Sequence, residues 1–319
     1  MTNYHSIPTI GALALALTLP ATGPAVSQTA ISLATGGVAG VYFPLGGAMA
    51  QAWTEGVDGL TVTAESTGAS VVNVRLLEGG EAELALIQND IASYAHNAEE
   101  MFEADDPHEQ ALGMAMLYPE VIQIVTLAGS GIETVDDLAG RTVALGAPGS
   151  GTEANARQIL EIHDITYAGI TPQFLPFGES VDALRDGRID AAFLTAGIPT
   201  AAVIDLDATE DLGIVRVDPD RADELAERWP FYADFTIPGG TYTGIEDDVE
   251  TVTVQAMLVA SADLDADLVE NMLEVLFDDR TLEMLCDTHV RGCDVSLDTA
   301  QTAMPIDLHP GAERFYDNQ

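Results

Sequence analysis

Three times in succession, the chain passes from a strand pattern through a short loop into a helical pattern. Residues 30–35 alternate in polarity, a glycine loop spans 36–40, and helical periodicity runs over 44–53. Residues 60–65 alternate again, with Leu60, Val62 and Ala64 on one face, followed by a small-residue loop at 66–70 and a helix over 70–77. A short apolar strand at 83–88 then leads into a helix over 90–98. Such repetition requires an open α/β sheet, because each strand buries both faces only when helices cover them.

A second set follows a long apolar strand over 117–127. It has a short helix and turn at 135–141, a strand at 142–145, a glycine-rich loop at 146–152 and a helix over 152–163. It ends with a strand at 173–176, a helix near 179–185 and a strand at 191–195. Residues 205–228 read only as a charged stretch. Another long apolar strand at 252–260 precedes an amphipathic helix over 266–277. The two long strands sit where a chain crosses between lobes and returns. With 319 residues at roughly 150 per domain, the expectation is a discontinuous lobe I (28–118 and 253–319) and an inserted lobe II (119–252).

Charge narrows the chemistry. There are 52 Asp and Glu against 11 Lys and Arg, giving a formal charge of −41, and every cation is arginine. Without lysine there is no Gly-x-x-x-x-Gly-Lys phosphate loop and no Schiff-base amine. Nucleic acid is an improbable partner, because its affinity comes from neutralised phosphates. The acids are scattered, as on a solvated surface. Self-repulsion of this size is relieved by salt, since the Debye length falls from ~10 Å at 0.1 M to ~3 Å at 1 M. The expectation is a halophilic source, with an acidic mesophile protein as the alternative. Hydrophobic residues make up 47%, which is enough for a packed core.

Residues 7–19 form an apolar run too short to span a bilayer, which takes ~20 residues. Ala25-Val26-Ser27 is a plausible cleavage site. Residues 1–27 therefore read as a secretory leader, although its start carries only His5 and the free amine. A buried N-terminal helix is the alternative. The expected mature chain is soluble, extracytoplasmic and, by default, monomeric. Only Cys286 and Cys293 are present; an oxidising compartment permits a local disulfide between them, and two free buried thiols are the alternative. They lack the further Cys or His pair that zinc needs.

The loops at 36–40, 66–70 and 146–152 each follow a strand and open a helix. Ligands of open α/β sheets bind at the carboxyl ends of strands. Helix N-termini there offer free N–H groups that hold a carboxylate or phosphate without a basic side chain. Taken singly, Ser70 and Thr152 read as ordinary caps, and Gly149 and Gly151 as turn residues; it is the conjunction of three loops that points to a site. Tyr42 suits a pocket wall or lobe packing. Gln88 ends a strand, with Asn89, Asp90 and Thr195 also near strand ends, while Asn73 lies inside a helix. Enzyme patterns fail: His108-Glu109 has Leu112 where a zinc helix needs His, and Pro148 breaks a nucleophile elbow around Ser150. No catalytic pair stands out among 52 acids. No cofactor or metal is expected.

Several segments in order resemble the TAXI-type solute-binding proteins of TRAP (tripartite ATP-independent periplasmic) transporters. These are TGGVAGVYFPLGG at 35–47, STGASVVNVRLL at 66–77, ALIQND at 85–90, GSGT at 149–152 with Asn155, FLTAGIP at 193–199 and PIDLHPGAERFY at 305–316. The resemblance implies a periplasmic-binding-protein fold of type II, with two lobes around a ligand cleft. It implies capture of a small carboxylate (glutamate, glutamine or a 2-oxoglutarate-like acid) and delivery to a membrane permease. Carried over, the ligand contacts are Gly37, Tyr42, Ser66, Thr67, Gln88, Gly149, Ser150, Thr152, Thr195 and Gly197. Phe43 stands where the motif commonly has a second Tyr. The family lacks a clamp arginine; Arg75 and Arg157 are the exceptions to check, with surface ion pairing as their simpler role. A binding component of an ABC importer or a sensor is the alternative on the same fold.

Overall fold

A computed structural model describes residues 1–2 and 29–319. Of the expected leader, 1–27, all but the first two residues lie outside the described part. The strands are β1 (Thr29–Ala34), β2 (Leu60–Glu65), β3 (Leu84–Gln88), β4 (Ala111–Leu127), β5 (Thr142–Ala144), β6 (Thr171–Gln173), β7 (Ala191–Ala196), β8 (Leu212–Val215), β9 (Ala233–Ile237) and β10 (Val249–Ser261). The helices are α1 (Tyr42–Gly56), α2 (Ser70–Glu78), α3 (Asn89–Asn97), α4 (Gly151–Ile162), α5 (Phe177–Arg185), α6 (Ala201–Asp207), α7 (Pro219–Arg228), α8 (Ala266–Leu276), α9 (Asp279–Thr288) and α10 (Pro310–Asp317).

The strands join in the order β2-β1-β3-β10-β4-β7-β5-β6, with β8 beside β4 and β9 beside β10. β1 lies parallel to β2 and β3, and β5 parallel to β6 and β7. Between these two parallel sets run the two long strands. β10 pairs antiparallel with β3 through Ala256 and Gln88, and with β4 through Val254 and Glu120. Farther along, β4 pairs antiparallel with β7 through Ile122 and Thr195. Their length follows from composition: almost every residue of β4 is buried, as expected where helices cover both faces of a sheet. The pairing of β4 with β10 shifts register between Gln255 and Met257, beside the point where the two parallel sets meet.

The two ends of the chain cover one half of the sheet. The Trp53 indole N–H of α1 donates to the Met272 carbonyl of α8 at 2.8 Å, and Phe315 of α10 joins the same buried cluster as Trp53 and Leu273. Cys286 and Cys293 form a disulfide, with Cα atoms 4.3 Å apart. Two readings of the sequence need correction. The strand expected at 173–176 lies at 171–173, because Pro176 already caps α5 and the chain leaves the sheet after Gln173. The charged stretch 205–228 contains the end of α6, then β8 and α7. Only Ala222 and Leu225 of α7 are buried, too few apolar residues to mark a helix among so many charges.

Candidate functional site

A cavity of about 300 Å³ lies where the loops after β1, β2 and β5 meet the ends of β3 and β7. The starts of α1, α2 and α4 converge on it. The caps of α1 and α2, Val41 and Ala69, supply no side-chain hydrogen bond, so the first N–H groups of both helices have no side-chain acceptor at the cap. Ala69 sits at φ 71°, in a region that costs a non-glycine residue ~1–3 kcal/mol and that clusters at ligand sites. Thr67 holds this conformation: its Oγ1 accepts the Ala69 N–H at 3.0 Å and lies 2.6 Å from Asn73 Oδ1. Ser150 caps α4 by accepting the Glu153 N–H at 3.2 Å.

The polar groups on the wall have fixed orientations. Asn155 Nδ2 donates to Asp90 Oδ2 and to the Tyr232 hydroxyl, both at 2.9 Å. Its Oδ1 is therefore the acceptor, and Gln88 Nε2 donates to it at 3.0 Å. That leaves Gln88 Oε1 buried against Gly151 with no hydrogen-bond partner among the described residues. Thr195 Oγ1 is likewise buried and unpartnered. Gly151 makes room for Gln88, since a Cβ at residue 151 would overlap its amide.

Glu120 of β4 also lines the cavity and is 3% exposed. The Tyr42 hydroxyl donates to its Oε2 at 2.5 Å. Burial raises the Glu120 carboxyl to about 8; the Tyr42 bond opposes the rise and the Asp90 charge adds to it. Burial likewise lifts Asp90 to about 7, against hydrogen bonds from Ile91 and Asn155. Burial, then Glu120, push the Tyr42 phenol well above its usual range. Among the described residues, no arginine lines the cavity. Arg75 pairs with Asp105 at 2.8 Å and Arg157 with Glu100 at 2.9 Å, which is the ion-pairing role. Among the described residues, no group of three His, Cys, Asp or Glu side chains is placed to hold a metal.

Seven of the residues singled out from the sequence line this one cavity: Gly37, Tyr42, Thr67, Gln88, Ser150, Thr152 and Thr195. Ser66, Gly149 and Gly197 do not. The Ser66 hydroxyl is spent on the Gly36 carbonyl at 2.9 Å. Gly149 turns the loop at φ 73°, and its carbonyl accepts the Val72 N–H at 3.2 Å. Gly197 packs against Arg291 and Tyr118. Asn73 faces inward, donating to Thr35 O at 2.6 Å and Leu86 O at 2.8 Å, and so ties β1 to β3. Sequence reasoning missed Glu120 and set Ser70 aside as a cap. Ser70 Oγ accepts the Gln88 N–H at 3.1 Å. The sequence signal for Glu120 is an acid inside an otherwise apolar strand.

Bonds bridge the cavity between the two parallel sets: Gln88 to Asn155, the Val72 N–H to the Gly149 carbonyl, and the Ala202 N–H to the Ala39 carbonyl at 3.2 Å. Similar solved structures share this architecture. A protein from Bordetella bronchiseptica RB50 superposes with TM-score 0.56 at 16% identity, over 91% of this chain and 82% of that one. A putative L-cystine ABC transporter protein from Listeria monocytogenes gives 0.51 at 13%, over 85% and 99%. The substrate binding protein of an amino acid ABC transporter gives 0.50 at 13%, over 82% and 97%. These likenesses establish the periplasmic-binding-protein type II fold. The model of the NMT1-like family matches residues 33–319, so the chain belongs to the NMT1-like family.

Proposed function

We propose that this chain is the extracytoplasmic solute-binding subunit of a transporter, of the TAXI type that serves a TRAP permease, and that it captures a small carboxylate. The observation that carries the reading is one cavity on which three helix N-termini converge while, among the described residues, no cationic side chain lines it. Each helix end stabilises an anion by ~0.3–1 kcal/mol when exposed and up to ~2 kcal/mol when partly buried. A carboxylate held by peptide N–H groups needs no arginine. The ligand then touches the loops at 36–40 and 66–70 from one lobe and 146–152 from the other. It contacts both only when the lobes close, so it favours the closed form. Moving such an equilibrium from 1:99 to 99:1 takes ~5.5 kcal/mol of differential affinity. In this reading the mature protein works in the periplasm as a monomer and the permease recognises its closed surface.

The test is calorimetry and thermal shift in 2 M NaCl with L-glutamate, L-glutamine, 2-oxoglutarate and neutral amino acids. The expected result is saturable one-to-one binding of at least one of them. A ligand at a hundredfold its Kd stabilises by about 2.7 kcal/mol. No response to any small acid would refute the reading.

A further inference from the structure

Resting on the solute-binding reading, we infer that Glu120 receives the ligand as a neutral carboxylic acid and donates its proton to a ligand oxygen, so that capture at alkaline pH takes up a proton from solvent. Placement carries the inference. Glu120 lies on the wall of the same cavity that the starts of α1, α2 and α4 approach. A site made of helix starts suits an anion. Here it also contains an acid and, among the described residues, no cationic side chain. A ligand carboxylate that enters a space of about 300 Å³ comes close to Glu120. Two carboxylates sharing one site do not both ionise freely, and the pKa of one of them rises. The acid already buried in the wall is the one that keeps the proton.

The hydrogen bonds say where that proton sits. The Tyr42 hydroxyl donates to Glu120 Oε2, which makes Oε2 the carbonyl-like oxygen and leaves Oε1 to carry the proton. Oε1 takes no hydrogen bond from a described residue and, unlike Gln88 Oε1 and Thr195 Oγ1, is not sealed inside the protein. An acid O–H aimed at a ligand carboxylate forms a short, charge-assisted bond, whereas an ionised Glu120 sets charge against charge. The titratable groups that act on Glu120 are Tyr42 from α1, Asp90 from α3 and Tyr118 from β4 itself. The adjoining strands β10 and β7 bring Val254 and Ala196, which do not titrate. None of these neighbours is a cation. Burial raises the Glu120 carboxyl to about 8, the Asp90 charge acts in the same direction, and the Tyr42 bond opposes them. Below that pH the ligand-free protein already holds the proton. Above it each capture event must take one up, and affinity falls tenfold per pH unit.

The experiment is calorimetry on the protein in 2 M NaCl from pH 6.5 to 9, each point in two buffers of different ionisation heat, with L-glutamate, L-glutamine and 2-oxoglutarate as probes. For whichever probe binds, affinity should be level to about pH 7.5 and then fall, approaching 10-fold per unit, while proton uptake approaches one per ligand. Glu120→Gln should bind with a level profile and no uptake, because its amide N–H donates at every pH. Tyr42→Phe removes the bond that favours the ionised acid, so the fall should begin at higher pH. Level wild-type affinity with no proton uptake overturns this inference and leaves the solute-binding reading standing. So does affinity that rises above pH 8, which would mean that an ionised Glu120 pairs with a ligand cation. A fall that persists in Glu120→Gln, or an onset unmoved in Tyr42→Phe, assigns the proton elsewhere and also overturns it. Absence of binding by every probe overturns both.

Discussion

Replacing Glu120 by Gln should make the ligand-free protein more stable in a pH-dependent way. The Glu120 carboxyl titrates at about 8 in the folded chain against an ordinary 4.5. Below 4.5 both folded and unfolded chains hold the proton, and the native state bears no penalty. As pH rises, the unfolded chain releases the proton while the folded chain retains it, so stability declines until the folded group also ionises near 8. At 1.36 kcal/mol per pH unit this interval corresponds to about 5 kcal/mol. Glutamine does not titrate and keeps the shape of the protonated acid. Below pH 8 the folded carboxyl is neutral, and the glutamine carbonyl oxygen accepts the Tyr42 hydroxyl in its place. Asp90, which also rises on burial, is present in both proteins and contributes a background of the same sign. Urea unfolding in 2 M NaCl at intervals from pH 4.5 to 9 measures the difference directly. The variant should start near wild type, overtake it as pH rises, and hold a constant advantage of several kcal/mol beyond pH 8. Parallel curves across that range would show that Glu120 is ionised in the fold and that the account of its burial is wrong.

Two further outcomes test other parts of the structure. Gly151→Ala places a Cβ on the Gln88 amide, so it should break the Gln88–Asn155 bond, weaken ligand binding at least about 10-fold and cost ~1–3 kcal/mol for the buried polar groups it strands; calorimetry showing unchanged affinity would remove Gln88 from the site. Raising NaCl from 0.1 to 2 M should raise the melting temperature of the −41 chain by screening its self-repulsion, and an unchanged midpoint would mean that the acids do not repel one another appreciably in the fold.

The parts of the fold that could be read in the sequence were those whose pattern is local. Strand, small-residue loop and helix follow one another within each unit, so β1 to α3 and the loops around the cavity were legible from periodicity and glycine alone. Tyr42 and Gln88 were legible because each stands at the end of an element where open α/β sheets expose side chains. Helix α7 was not, since Ala222 and Leu225 supply its whole buried face. Glu120 was hidden for a different reason. Its local mark, an acid within an apolar strand, says nothing of a cavity, and it is singled out only when β10 pairs with β4 and Tyr42 arrives from a helix 78 residues away in the chain. The orientation of the Gln88 amide depended on Asn155 of α4, Asp90 of α3 and Tyr232 of the loop before β9, which no local pattern brings together.

The bond from the Val72 amide to the Gly149 carbonyl joins two backbone atoms, one in the first turn of α2 and one in the loop before α4. No change of side chain deletes it, short of proline at 72, which removes the donor N–H itself. Substitutions inside the cavity can therefore alter which molecule is preferred without touching this tie. Preference and fastening are written in different parts of the polymer, and relatives of this chain are free to diverge in the first while inheriting the second.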